Sequence, residues 1–187
     1  TTEIYTLSLH DALPIYHVSG HLKIAPEHIS RSVTECMNKP SREVLDAFRE
    51  RFYAANRERG RKQYILPYLM SGHPGCTVGD MIELAQYLQE AHLYTEQVQD
   101  FTPTPMTVST AMYHTSLDPF TLKPVHVPRG REKKIQRAML HYRDPKNYDL
   151  VKEGLRLAGR EDLIGSGRGC LIPARPRRGW KGDGKKQ

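Results

Sequence analysis

Twice in this chain an extended apolar run gives way to a polar, Gly- or Pro-bearing loop and then to residues at helical spacing. The first run holds Leu22 and Ile24 around Lys23 and is ended by Ala25-Pro26; Ile29, Val33 and Met37 then recur every four residues until Pro40. The second is Tyr64-Ile65-Leu66-Pro67-Tyr68-Leu69-Met70, continuous enough to be a strand covered on both faces. Pro67 offers no ladder donor, which points to an edge or bulged strand. After the loop Ser71-Gly72-His73-Pro74-Gly75, Thr77 can cap a helix whose stripe is Met81, Leu84, Ala85 and Leu88. Between these units Ser41 is a plausible cap for a helix with Val44, Leu45, Phe48 and Phe52 on one face and Gly60 at its end. A third strand, Glu96 to Phe101, closes in Thr102-Pro103-Thr104-Pro105. Strand, loop and helix in this order imply parallel β-α units and an α/β fold. In β/α folds the chemistry collects on loops at the carboxyl ends of strands.

After about Tyr113 the pattern changes. Thr121 to Pro128 reads as an extended stretch, Arg131 to Tyr142 as a helix with Ile135, Ala138, Met139 and Tyr142 inward, and Asn147 to Ala158 as a second helix ended by Gly159. The 187 residues are 38% hydrophobic and 26% charged, the composition of a water-compatible globular chain. No run is long and apolar enough to span a bilayer and no secretory signal is visible. Cys36, Cys76 and Cys170 are too few and too scattered for a disulfide framework or a cysteine metal motif, so a reducing, cytoplasmic setting is expected.

Both ends read differently from the middle. Thr1 to Ile15 (TTEIYTLSLHDALPI) matches the translation of a sequencing-adapter oligonucleotide and is set aside as foreign, so that natural sequence begins near Tyr16 or His17. Residues 174–187 are Gly/Pro-rich; from Arg175 onward six Lys/Arg face a single acid, Asp183, and a disordered basic tail is expected.

Several ordered segments carry a family resemblance: His17 to His28 (HVSGHLKIAPEH), Gln63 to Gly75 (QYILPYLMSGHPG), Glu96 to Pro105 (EQVQDFTPTP), Met112-Tyr113-His114-Thr115 with Asp118-Pro119, Tyr142 to Asn147 (YRDPKN), and Gly159 to Gly165 (GREDLIG). Together they resemble the C-terminal half of YgiQ-family radical S-adenosylmethionine (SAM) proteins. The resemblance implies an incomplete (β/α) radical SAM-type barrel over 16–115, then the family's mainly helical extension over 116–173. It also implies a [4Fe–4S] cluster held by three closely spaced cysteines and a SAM cosubstrate cleaved to a 5′-deoxyadenosyl radical. That cysteine triplet is absent, so the chain is expected to be an inactive fragment of a radical SAM enzyme of unknown substrate, with neither cofactor bound stably on its own.

The resemblance makes nine residues candidate cosubstrate contacts. Lys23 and Glu27 would face ribose or the methionyl part, against a surface ion pair as the plain alternative. Ser71, Gly72, His73 and Gly75 form a glycine-bearing loop where backbone can approach a ligand closely, against a tight turn and a hydrogen-bonded histidine. Gln99, Asp100 and Thr102 would reach adenine, against loop capping. Cys76, with no partner base apparent, reads as an inert thiol. The rival function is a basic RNA-binding module built on Arg129 to Lys134 and the tail, although no aromatic-interleaved basic motif accompanies them.

Overall fold

Three parallel strands lie side by side in chain order. The computed structural model describes residues 20–93 and 98–176. Its elements are β1 (His21–Glu27), α1 (Arg31–Met37), α2 (Arg42–Glu58), β2 (Tyr64–Ser71), α3 (Val78–Glu90), β3 (Val98–Asp100), α4 (Val108–Thr115), α5 (Gly130–Leu140) and α6 (Tyr148–Leu157), with single 3-10 turns at Pro145–Asn147 and Glu161–Leu163. The sheet order is β1-β2-β3, both pairings parallel, and the sheet is open. The α/β expectation therefore holds, with three parallel strands in one open sheet. The adapter-like Thr1 to Ile15, most of the tail, and Glu96 and Gln97 lie outside the described residues.

Among the described residues, helices cover one face of β2. Ile65, Pro67, Leu69 and Ser71 are buried against helices, whereas Leu66, Tyr68 and Met70 are half-buried and Tyr64 is exposed. The continuous apolar run disguised a strand with one open face. Nor is β2 an edge strand: it lies between β1 and β3, and the irregularity at Pro67 falls in its pairing with β1. β1 shifts register between Ile24, opposite Pro67, and Glu27. The irregularity expected of a proline strand is thus carried by its neighbour.

Helix caps follow the residues present. Thr77 and Asp80 make a capping box on α3, each side chain bonding the other's backbone N–H. Gly60 takes φ +61° just past α2, the left-handed turn expected there. On α2, however, Val44 is 53% exposed, so the inward stripe is narrower than its spacing implies, with Phe52 and Asn56 the buried residues. Sequence patterning missed α4 because Thr107, Ser109 and Thr110 are weak helix formers. The helix is fixed by local bonds: Thr107 Oγ1 accepts from Thr110 N (3.2 Å), and Thr110 Oγ1 donates to the Thr104 carbonyl (2.6 Å). The stretch expected over Thr121 to Pro128 contributes only a bridge, Pro124 with Leu117.

One core crosses the change of style near Tyr113. Leu69 and Val33 meet Met81, Leu84 and Ala85 of α3, Ile135 and Met139 of α5, Val151 and Leu155 of α6, and finally Leu171 and Ile172. Full burial of side chains this size contributes about 1.5–3 kcal/mol each. The helical extension is therefore packed into the same core as the sheet, which places α5 beside the strand ends. Among the described residues no helix is long and apolar enough to cross a membrane.

Candidate functional site at the strand ends

The carboxyl ends of all three strands open onto one edge, which collects Glu27, the loop Ser71 to Gly75, and Asp100 to Thr102. Register then sorts the nine sequence-selected residues into two groups. Lys23 is paired with Leu66 and Gln99 with Met70, so both stand on the open face of the sheet, and both are exposed. Tyr68, on the same face, donates its hydroxyl to Gln99 Oε1. Ser71 and Asp100 are register partners on the opposite, helix-covered side, where Ser71 Oγ donates to Asp100 Oδ1 at 2.6 Å. Asp100 Oδ2 receives Arg137 from α5. Thr102 is exposed, and its hydroxyl donates to the Asp100 carbonyl at 3.4 Å.

Glu27 is the backbone outlier of the edge. Its φ of +62° follows the register break of β1, a conformation that disfavours L-residues by about 1–2 kcal/mol. The carboxylate pairs with Lys39 at 3.4 Å rather than with Lys23. A held, half-buried carboxylate at a strand end is an acceptor-only group suited to hydroxyls.

The Ser71–Gly75 loop is built from inside. Gly72 and Gly75 take φ +73° and +90°. A Cβ on Gly72 would lie 3.1 Å from Lys133 Cε and one on Gly75 would lie 2.7 Å from Cys36 Sγ, so the left-handed backbone at both positions, with close packing at Gly75, accounts for the two glycines without a ligand. Gly72 N–H donates to Gln136 Oε1 (3.0 Å), Gly75 N–H to the His126 carbonyl (2.6 Å), and Gln136 Nε2 to the Cys76 carbonyl (2.8 Å). His73 is buried, and both ring nitrogens are engaged. Nδ1 donates to the Pro74 carbonyl at 2.7 Å, which leaves Nε2 to accept from Ser109 Oγ at 2.8 Å. Burial holds its pKa below the usual histidine value, against the pull of the Pro74 bond and Glu27. The ring is neutral at pH 7, an acceptor for a hydroxyl proton, and packs edge-on to Phe101 at 5.1 Å.

Cys76 does have an imidazole neighbour, which sequence reasoning did not find. His28 Nδ1 accepts from Ser30 N–H (3.0 Å), so its Nε2 carries the proton and faces Cys76 Sγ at 3.7 Å. A ring protonated on that side cannot take the thiol proton. Burial, above all, lowers His28 to about 4, and raises the Cys76 thiol well above its ordinary value. The pair is a neutral packing contact, and the inert-thiol reading stands for a different reason from the one the sequence offered. His28 comes from the β1–α1 loop, 48 residues away, and no local spacing announces the pair.

Two larger ligand questions can be tested on these side chains. Among the described residues no group of three or more His, Cys, Asp or Glu is placed to hold a metal ion, so the cysteines here do not fit an iron–sulfur cluster. The Arg129–Lys134 run is largely occupied within the fold. Arg129 donates to the Tyr113 carbonyl (2.7 Å) and covers its ring, Arg131 pairs with Glu153 (2.6 Å), and Lys133 Nζ donates to the Phe101 carbonyl (2.8 Å). Sequence reasoning also missed Gln136, Lys133 and Arg137 as partners of the strand ends. The available signal was polar residues at positions i, i+3 and i+4 beside the Ile135–Ala138–Met139 stripe.

An open parallel sheet, a polar edge at its strand ends and a helix bonded to that edge define an α/β protein. The chain is a homologue of the UPF0313 proteins, the YgiQ family. It is 56% identical over 179 residues to a UPF0313 protein of Methanosarcina mazei, covering 92% of this chain and 29% of that protein. It is 51% identical to one of Methanocella arvoryzae over the same length, covering 92% and 30%. With one of Geobacter sulfurreducens it shares 57% identity over 152 residues, covering 81% and 25%. The chain thus spans less than a third of each of these relatives. Residues 96–187 also match the model of a domain of unknown function, DUF3362.

Proposed function

We propose that this chain is the strand-end pocket wall and helical extension of a radical SAM enzyme whose cluster-bearing part belongs to the remaining length of the protein. One observation carries the reading. The segments that resemble the YgiQ family bring Glu27, Ser71 to Gly75 and Asp100 to Thr102 to one edge of a parallel sheet, where β/α folds keep their ligands. In such an enzyme the cluster and SAM supply the hydrogen-abstracting chemistry, and the protein supplies orientation and enclosure. Cys36, Cys76 and Cys170 do not suit the cluster, so no step is assigned to it here.

The side chains of this chain divide by what they still offer. Lys23, Glu27, Gln99 and Thr102 keep exposed or half-exposed polar atoms and are the proposed direct contacts to SAM. Ser71, Gly72, His73, Gly75 and Asp100 are committed to internal bonds or packing, and shape the pocket floor. An RNA-binding role finds less support in the folded part, because Arg129, Arg131 and Lys133 are already held by protein acceptors.

The test is anaerobic reconstitution with iron and sulfide, run on a full-length UPF0313 relative and on this chain. The relative should acquire a [4Fe–4S] absorbance and cleave SAM on reduction, and this chain should acquire neither. A relative that assembles no cluster, or a stable cluster on Cys36, Cys76 and Cys170 of this chain, would remove the proposal.

A further inference from the structure

We infer that Gln136 is a positioning residue for the Ser71–Cys76 loop, with α5 as its rigid mount. This deepens the proposed function, since the loop it holds is the one proposed as pocket floor. The side chain is fully buried and its amide spans the loop from one end to the other. Oε1 accepts the Gly72 N–H at 3.0 Å, and Nε2 donates to the Cys76 carbonyl at 2.8 Å and to Glu132 Oε1 at 3.2 Å. Glu132 Oε1 also meets His126 Nε2 at 2.8 Å, and the His126 carbonyl accepts the Gly75 N–H. Both ends and the middle of the loop are therefore held from α5 and the residues just before it.

Neighbouring side chains on α5 treat the next strand in the same way. Lys133 bonds the Phe101 carbonyl and Arg137 bonds Asp100, so positions 133, 136 and 137 together hold the ends of β2 and β3. The mount is stiff because Ile135, Ala138 and Met139 of the same helix are in the core. A bundle extension that served only to add core would not need a fully satisfied amide at this junction. Gln136 supplies two donors and an acceptor, and the loop and Glu132 use all three.

Gln136→Leu removes both loop bonds, and Gln136→Glu keeps the acceptor for Gly72 while losing the donors to Cys76 and Glu132. In this chain, amide hydrogen exchange at Gly72 should speed up by about ten- to a hundredfold in Gln136→Leu, with α3 amides unchanged. Gln136→Glu should retain much of the Gly72 protection. In a full-length relative, the Leu substitution at the matching glutamine should weaken SAM binding by about tenfold or more at unchanged iron content. Exchange that is unaltered at Gly72, or that rises equally across α3, would overturn the inference. If Gln136→Leu does not fold, Gln136→Glu decides, since equal loss of protection at Gly72 and α3 would also count against it. The exchange arm needs no cofactor. A loop that loosens as expected beside a relative that binds no SAM would therefore refute the functional reading and leave the brace in place.

Discussion

Gly154→Ala sets two known effects against each other at the contact that seats α5. Gly154 lies inside α6, and replacing an interior helical glycine by alanine ordinarily stabilises by about 1 kcal/mol. Here the added Cβ would fall 2.5 Å from Ile135 Cγ2 and 2.5 Å from Met139 Cε, both on α5. Met139 can swing its terminal methyl aside. Ile135 cannot, because a β-branched side chain in a helix is nearly confined to one χ1 rotamer, so the helices must separate. Overpacking of this kind costs about 1–3 kcal/mol. The clash should win, for a net loss of about 0–2 kcal/mol, or a fall of up to about 8 °C in melting temperature for a chain of this size. Thermal melts monitored by circular dichroism read this directly. Combining Gly154→Ala with Ile135→Ala should show coupling of about 1 kcal/mol or more in the favourable direction. A melting temperature that rises for Gly154→Ala alone would refute the reasoning, since helix propensity would then outweigh a contact described as rigid.

Other consequences are equally direct. His28 sits at about 4 in the folded chain against 6.5 for the free group, so the unfolded state binds its proton first and stability falls as pH drops through that window. The loss should reach about 1 kcal/mol between pH 7 and 5.5, and urea midpoints for wild type and His28→Asn should diverge in slope, with an unchanged pH dependence counting against it. Asp80 accepts from Ser30 Oγ, Ser32 Oγ, and both the Thr77 amide and hydroxyl, so Asp80→Ala should cost about 2–4 kcal/mol in urea unfolding; a loss under about 0.5 kcal/mol would show these bonds to be idle. In the folded chain, alkylation followed by mass spectrometry should modify Cys36 and Cys170 well before the buried Cys76, and equal labelling would contradict the neutral His28–Cys76 contact.

Much of this architecture was legible because its signals are local. Thr77 before the Met81–Leu84–Ala85–Leu88 stripe announces α3 with its cap, and Ile135, Ala138 and Met139 announce α5, since periodicity and capping are set by near neighbours. The strand-end loops could be located for the same reason. Where reading failed, the missing information was nonlocal. Pro67 pointed to an edge or bulged strand; the irregularity is present, but it lies in the pairing with β1 and the strand itself is central. The β2 run looked covered on both faces, because a sequence shows which side chains are apolar and not which face has a partner.

By itself, then, the order of residues determined the parallel β-α units, most of the helices and the family, each a matter of short-range pattern. Only the tertiary structure decided which polar groups are spent and which remain available: that Ser71 and Asp100 turn to the helices while Lys23 and Gln99 stay on the open face, that His28 packs against a buried, neutral Cys76, and that Gln136 holds a loop 60 residues away. The physical reason is that a hydrogen bond is set by distance and angle in space, which packing brings about between residues that share no sequence signal.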